Sequence, residues 1–399
     1  MSEHPGLRLL AQSNLGGHGN GGEGMGICIR DGRRILFIAH ESAPVNFSAV
    51  DVTDPARPKL IHQAQLPHAG VRSNSLAVCG DVMAVAYQTV RPGGTPAGLE
   101  LFDISDPERP RRISFFDTSG PHSRGAHFVW FVDGEFAYLS TGMPDFEPAN
   151  PKDDQLALIL DLRDPARPRE AGRWWLPGTR AGEDPIERHA KHDTGFRAHN
   201  VNVYPQRPDR AYAGYLDGGI VILDISDRSH PRLVSRLDYH PPLPGFTHTV
   251  LPLFGRGLLA VTDEAIEDRC GDHPKLLWLM DCSTETNVVP LSTAPMPPAD
   301  EFCRRGGRFG AHNLHENDPL PTAWKSEEFL VGAFFNAGVR VYDIRNQFRP
   351  EEVACFVPPA PARSPAGAVQ INDVYVDERG IVYAIDRFTG GLYTLELNV

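Results

Sequence analysis

The chain has 399 residues, 41% of them apolar, with 38 glycines, 36 prolines and a formal net charge of -12. No run approaches the roughly 18 uninterrupted apolar residues of a membrane span, and no basic segment followed by an apolar one opens the chain, so neither a span nor a secretory leader is expected. The acidic balance argues against a nucleic-acid or anionic-membrane partner, and six cysteines without a C-x-x-C pair (Cys28, Cys79, Cys270, Cys282, Cys303, Cys355) read as free thiols of a cytoplasmic protein.

The first predicted strand is LRLLAQS, Leu7 to Ser13. Seven similar units follow it. The first reads MGICIRDG, ILFIAHE and FSAVDVTDPARP, with Asp51 before a turn closed by proline. The second reads SLAVCGD, VMAVAYQ, LELFDISDPERP (Asp103) and RRISFFD. The third reads HFVWFVDG, FAYLSTG, LILDLRDPARP (Asp161) and EAGRWWLP. The fourth has HNVNVYP, RAYAGYL and VILDISDRSHP (Asp224), and the fifth HTVLPLFG, LLAVTDE and LLWLMDCSTET (Asp281). The sixth reads HNLHEND, FLVGAFF, VRVYDIRNQFRP (Asp343) and EEVACFV. The seventh is NDVYVDERG, IVYAIDR and LYTLELNV (Glu396), with no fourth strand.

The acids of these turns recur every 52 to 63 residues. Four short strands per unit, bounded by Gly, Pro and Asp, make one propeller blade. The fold expected is all-β: one seven-bladed β-propeller domain over residues 1–399. The N-terminal strand should complete the seventh blade, which removes exposed edges. The turn acids read as structural, accepting from the backbone N–H groups that follow.

The repeat resembles the LVIVD family of bacterial propeller repeats, on VILDISD, LELFDISD and LILDLRD. That resemblance implies a propeller fold and is nearly silent on function.

Stacking the innermost strands in register gives one position at which the units read Met25, Asn74, His127, His199, His248, His312 and Asn372. Residues at one height on innermost strands aim at one point of the axis. His127, His199, His248 and His312 are therefore expected to hold one divalent transition metal, Fe, Cu, Mn or Zn, with neutral ligands. The second strands end on the same face, with His40 and Glu41, Tyr87 and Gln88, Tyr215, Asp263 and Glu264, Asn336, and Asp386 with Arg387. Glu41, Asp263 and Glu264 are candidates to orient imidazoles or move protons. Arg72, Arg124, Arg197 and Arg308 precede the ring position, and Arg72 and Arg197 in particular suggest an anionic group in the substrate. Three long connections share this face: Met143 to Gln155, Gly178 to Arg197 (with His189 and His192), and Pro295 to Gly310.

The arrangement resembles the four-His iron centre of carotenoid-cleaving propeller oxygenases and the His-lined propellers of the selenium-binding, thiol-oxidising family. The likeness is architectural and covers no sequence motif. It implies iron or copper redox chemistry on a small organic substrate. The alternatives are a Mn- or Zn-dependent lyase or hydrolase acting on an anionic substrate, and a non-catalytic interaction scaffold. The sequence leaves open the substrate, the metal and the oligomeric state.

Overall fold

The computed structural model describes residues 6–189 and 192–399. The repeat units become antiparallel blades, each entered at the ring axis and left at the rim. Blade 1 runs Gly21–Arg30, Arg33–His40, Val45–Asp51 and Lys59–Gln65, and blade 2 Val71–Cys79, Val82–Thr89, Gly98–Asp103 and Arg111–Asp117. Blade 3 runs Ala126–Trp130, Phe136–Thr141, Leu156–Asp161 and Arg169–Trp174, and blade 4 Val201–Tyr204, Arg207–Gly214, Ile220–Asp224 and Arg232–Leu237. Blade 5 runs Thr247–Leu253, Leu258–Asp263, Leu277–Asp281 and Val289–Thr293. Blade 6 has three regular strands, Phe329–Ala333, Val339–Asp343 and Glu351–Phe356. Its innermost segment follows the ladder only loosely, through His315 N–H to Val331 O (2.9 Å) and Ala333 N–H to Asn313 O (2.8 Å).

Blade 7 closes the ring. Ile371–Val376, Ile381–Asp386 and Leu392–Leu397 are completed by Leu7–Ser13, paired from Leu7 with Leu397 to Ser13 with Leu392. Arg8 donates to Glu396 Oε2 across this seam (2.7 Å). The innermost strand of blade 1 therefore lies between those of blades 2 and 7.

The middle strands are continuous apolar runs because both faces pack against neighbouring blades. Ile35 to Ala39, Met83 to Ala86 and Leu258 to Val261 are all buried. The turn acids behave as structural residues. Asp51, Asp103, Asp161, Asp224, Asp281 and Asp343 each accept through Oδ1 from the N–H two residues on, at 2.8–3.1 Å.

Among the described residues the α-helix content is one turn, Ala299–Phe302, and no helix is long and apolar enough to cross a membrane. The six-thiol expectation is corrected. Cys270 and Cys303 form a disulfide that joins two loops of the same face, and Cys28, Cys79, Cys282 and Cys355 are free.

Candidate metal centre

The ring position is built by β-bulges. A bulge places two residues opposite one, so the extra residue leaves the ladder and its side chain can be re-aimed. In blade 3, Ala126 pairs with Thr141 and Phe128 with Ser140, and His127 is the extra residue. The same irregularity frees Asn74 in blade 2, His248 in blade 5 and Asn372 in blade 7. In blade 4, Gly214 receives His199 N–H on its carbonyl (2.8 Å) and donates to Asn200 O (3.1 Å), so both residues face it.

Blade 1 departs from the expected register. Gly21 pairs with His40 and Met25 with Ile38, which leaves three residues opposite Ala39. The centre of that wide bulge is Glu23. Met25, the residue expected at the ring, packs instead into the apolar cluster between blades 1 and 7. A Cβ on Gly22 would come within 2.5 Å of Asn74 O, and one on Gly24 within 2.3 Å of Leu76 N. Only glycines let this strand press so closely on blade 2, and the carboxylate between them projects into the ring.

Glu23 and the four histidines converge, all buried. Nε2 of His127 and His199 lie 2.8 Å apart. Glu23 Oε2 is 3.5 Å from His248 Nε2, 3.7 Å from His127 Nε2 and 3.8 Å from His199 Nε2. Glu23 Oε1 is 3.8 Å from His312 Nε2.

The tautomers follow from what the other ring nitrogens touch. Arg72 carries only donors, and its Nε (3.1 Å) and Nη2 (2.6 Å) fix Gln88 Oε1 as an acceptor. His127 Nδ1–H donates to that same oxygen (3.0 Å). His199 Nδ1–H donates to Asn200 Oδ1 (2.8 Å) and His312 Nδ1–H to Asn372 O (2.6 Å), while His248 Nδ1 pairs with the Thr249 hydroxyl (2.9 Å), which can donate or accept. Nε2 of His127, His199 and His312 is thus left with a bare lone pair facing the axis. Asn74 Nδ2, a donor 3.4 Å from His127 Nε2, requires the same assignment.

Burial, and then the neighbouring imidazole, hold His127 and His312 well below the usual histidine range, and bring His199 to about 3. These three imidazoles are therefore neutral at pH 7. For Glu23, burial acts to raise the pKa. Attraction to His127, His199 and His312 lowers it, and acts only once those rings carry a proton.

The residues fit a metal ion. His248 Nε2, His312 Nε2 and Glu23 Oε2 are buried without a hydrogen-bond partner, although such atoms are costly to leave unpaired. Two bare nitrogens 2.8 Å apart repel unless a cation lies between them. Ligands of one ion with bonds of about 2.0–2.2 Å can be at most about 4.4 Å apart, and the separations above satisfy that limit. Glu23, His199 and His248 form one group that could hold an ion, and His248, Glu264 and His312 another that shares His248.

Above the ring opens a funnel of ≈ 410 Å³. Glu264 reaches it from the end of the second strand of blade 5, with Oε1 3.6 Å from His312 Nε2 and 2.7 Å from Arg308 Nη1. Glu41 lines the wall, bridging Arg72 and Arg387. Arg197 and Arg124 share buried Asp154, Arg197 through Nη1 at 3.1 Å. Five guanidiniums thus share three carboxylates around the mouth. The three long connections contribute Lys152, Thr194 and Arg308 among others.

Asp263 does not join the site. It accepts from Tyr239 Oη (2.6 Å), Trp278 Nε1 (2.9 Å) and Leu276 N (3.3 Å) inside blade 5, and burial pushes its pKa up to about 6. His40 is likewise structural, bonded through Nε2 to Ser48 Oγ (2.7 Å). The sequence reading missed Glu23, although an acid between glycines in GGEGMG was its visible signal. It also missed a small chamber of ≈ 60 Å³ on the other side of the ring, which Glu23 shares with Glu316, Asp318 and Asp373.

Comparison with known proteins adds the fold. The LVIVD repeat family matches residues 208–238, the outer strands of blade 4. No curated protein sequence matches significantly. The β-propeller domain of Myceliophteria thermophila Cps50 (Swd1) superposes with a TM-score of 0.59 at 13% identity, over 98% of this chain and 100% of that one. Chaetomium thermophilum Raptor gives 0.58 at 13% identity, over 100% of this chain and 29% of that one. Likenesses at this identity concern the fold alone. The chain is thus a seven-bladed β-propeller that carries an LVIVD repeat in its fourth blade.

Proposed function

We propose that this propeller is a metalloenzyme. One divalent transition ion is held on the axis by His127, His199, His248, His312 and Glu23, and a small anionic substrate is received in the funnel. The observation that carries this reading is the convergence of four imidazole Nε2 atoms on a buried carboxylate, three of the five atoms lacking any partner. An imidazole-rich donor set suits Fe, Cu or Zn, and the added carboxylate admits Mn. Iron or copper redox chemistry is the first reading, and the ion when bound would supply electron transfer or Lewis acidity. Glu23 lowers the positive charge of the site relative to an all-His one.

The charge of the funnel supports an anionic substrate over an apolar one. Its excess of guanidinium over carboxylate, close to a dication in a recess, concentrates negative charge. A second reading, Mn- or Zn-dependent lyase or hydrolase chemistry, rests on Glu264. Its carboxylate stands 3.6 Å from a candidate ligand nitrogen and is open to the funnel, where it can take a proton from substrate or return one. A cytoplasmic location loses its thiol argument with the Cys270–Cys303 pair.

Elemental analysis of protein purified from metal-replete medium tests the proposal. About one transition metal per chain is expected, with loss of metal but not of fold in each His→Ala variant. The metal's identity and electron paramagnetic spectrum separate the redox from the non-redox reading. No metal on isolation and no uptake on titration would end it.

A further inference from the structure

The chamber beneath the ring holds a carboxylate with a specific link to the ligands. Glu316 Oε1 accepts from Asn200 Nδ2 (2.8 Å) and from Asn202 Nδ2 (2.8 Å). Asn200 in turn presents Oδ1 to His199 Nδ1 (2.8 Å) and Nδ2 to Thr249 Oγ1 (3.4 Å), the oxygen that pairs with His248 Nδ1. An amide can point either end at an imidazole. A carboxylate offers acceptors only, so the amide must turn its NH₂ toward Glu316 and its oxygen toward His199. An imidazole facing that oxygen must carry its proton on Nδ1, and its Nε2 is then bare toward the axis.

We infer that Glu316 is a positioning residue which, through Asn200, fixes His199 in its metal-binding tautomer. This rests on the metal-centre reading above and deepens it. Were Asn200 to flip, its oxygen would face the carboxylate and its NH₂ would face His199 Nδ1. His199 would then carry its proton on Nε2, aimed at the point where the other ligands converge. The junction of blades 2 and 3 contains the mirror arrangement: Arg72, a pure donor, orients Gln88, and Gln88 sets His127. One ligand is thus set from the funnel side by a cation and the other from the opposite side by an anion, in each case through a neutral amide. Partners of this kind orient the ring and raise its basicity, and their removal typically weakens metal binding by about 10–100-fold.

The test uses the full-length protein. Imidazole ¹⁵N resonances of the metal-free protein, assigned to His199 with a His199→Gln variant, report its tautomer directly. Glu316→Ala removes the acceptor, Glu316→Leu removes it while filling the space, and Glu316→Gln keeps an oxygen that both amides can reach. Asn202→Ala removes the carboxylate's other donor and leaves the link to His199. Expected for Glu316→Ala and Glu316→Leu are a shift of His199 toward the Nε2–H form and zinc affinity lower by about 10–100-fold. Glu316→Gln and Asn202→Ala should remain within about threefold of the parent, close to the error with which mutational effects at independent sites add. An unchanged His199 tautomer in the Ala and Leu variants overturns the inference, as does an equal shift in Asn202→Ala. If the parent takes up no metal, the metal reading fails, and the tautomer comparison still decides the role of Glu316.

Discussion

Replacing Glu23 with Gln separates a metal ligand from a structural carboxylate more sharply than replacing any histidine. The substitution keeps volume and shape and removes one charge. In the metal-free protein at pH 7 His127, His199 and His312 are neutral, so Glu23 is a buried anion facing their bare lone pairs, with Oε2 unpartnered. Relieving that burden should stabilise the metal-free protein by about 1–3 kcal/mol, the usual cost of a buried group lacking partners. With an unfolding entropy of about 2.1 cal/mol/K per residue, a 399-residue chain converts this into a rise in Tm of about 1–4 °C.

The metal-loaded protein should respond in the opposite sense. A free ion at 1,000 times Kd adds about 4 kcal/mol to the parent, or about 5 °C. A unit charge 4 Å from another contributes about 4 kcal/mol at an effective dielectric near 20. Removing the carboxylate from beside a divalent ion should therefore weaken binding about a thousandfold and nearly erase the metal-induced shift. Differential scanning fluorimetry with and without zinc, alongside calorimetric titration, measures both arms. A Glu23→Gln variant with lower metal-free Tm and an undiminished metal-induced shift would refute the reasoning, because Glu23 would then stabilise the fold and not the ion.

Asp263→Asn should lower stability by about 1–3 kcal/mol and leave metal content unchanged, since an amide cannot accept from Tyr239, Trp278 and Leu276 together; a loss of metal without a loss of Tm would return this residue to the site. Deleting residues 1–14 should lower Tm and promote self-association, because the strand Leu392–Leu397 becomes an open edge; light scattering and thermal melts check both. His315 donates through Nε2 to Trp324 O (2.7 Å) and accepts from Val376 N–H at Nδ1 (3.1 Å), and burial brings its pKa down to about 4. A depressed histidine contributes stability that is present above pH 6.5 and is lost as pH falls toward 4. Asp263 and Asp318, raised to about 6 and about 7, act in the opposite sense, contributing below about pH 4 and losing that contribution as pH rises through 6 to 7. The informative measurement is consequently the difference between parent and His315→Gln: urea melts from pH 7 to 4 should lose up to about 3 kcal/mol less stability in the variant.

The repeat made the fold legible, since a seven-fold recurrence of strand pattern and turn acid constrains each blade by the others. It made the four histidines legible for the same reason. Glu23 escaped because blade 1 opposes three residues to Ala39 where blades 2, 3, 5 and 7 oppose two residues to one, so alignment by strand pattern lands on Met25. Asp263 was taken together with Glu264 because they are adjacent. Successive side chains of a strand point to opposite faces, so only one of the two could enter the funnel. Whether that is 263 or 264 depends on where the bulge falls. The Cys270–Cys303 pair and the Glu316 link escaped because each joins segments distant in sequence through loops or the axis, where no local pattern records the contact.

The bulges also explain how one repeat position can carry such different side chains. A residue inside the ladder must satisfy strand pairing and interblade packing at once, and a charged or imidazole side chain there would be expelled. A bulged residue is outside the ladder, so its identity is free to follow the needs of the axis. The seven positions have diverged accordingly. Four imidazoles and Glu23 converge on the axis, and the two asparagines hold the frame. Asn74 Nδ2 donates to His127 O (3.3 Å). Asn372 Nδ2 donates to Gly21 O (3.0 Å) and Gly22 O (3.1 Å) on the strand that carries Glu23, while its own carbonyl takes the Nδ1 proton of His312. The asparagine of blade 7 therefore fixes the carboxylate on one side and an imidazole on the other. Ring closure and site assembly are the same event at this seam: the blade that needs Leu7–Ser13 to be complete is the blade that sets two of the five converging groups.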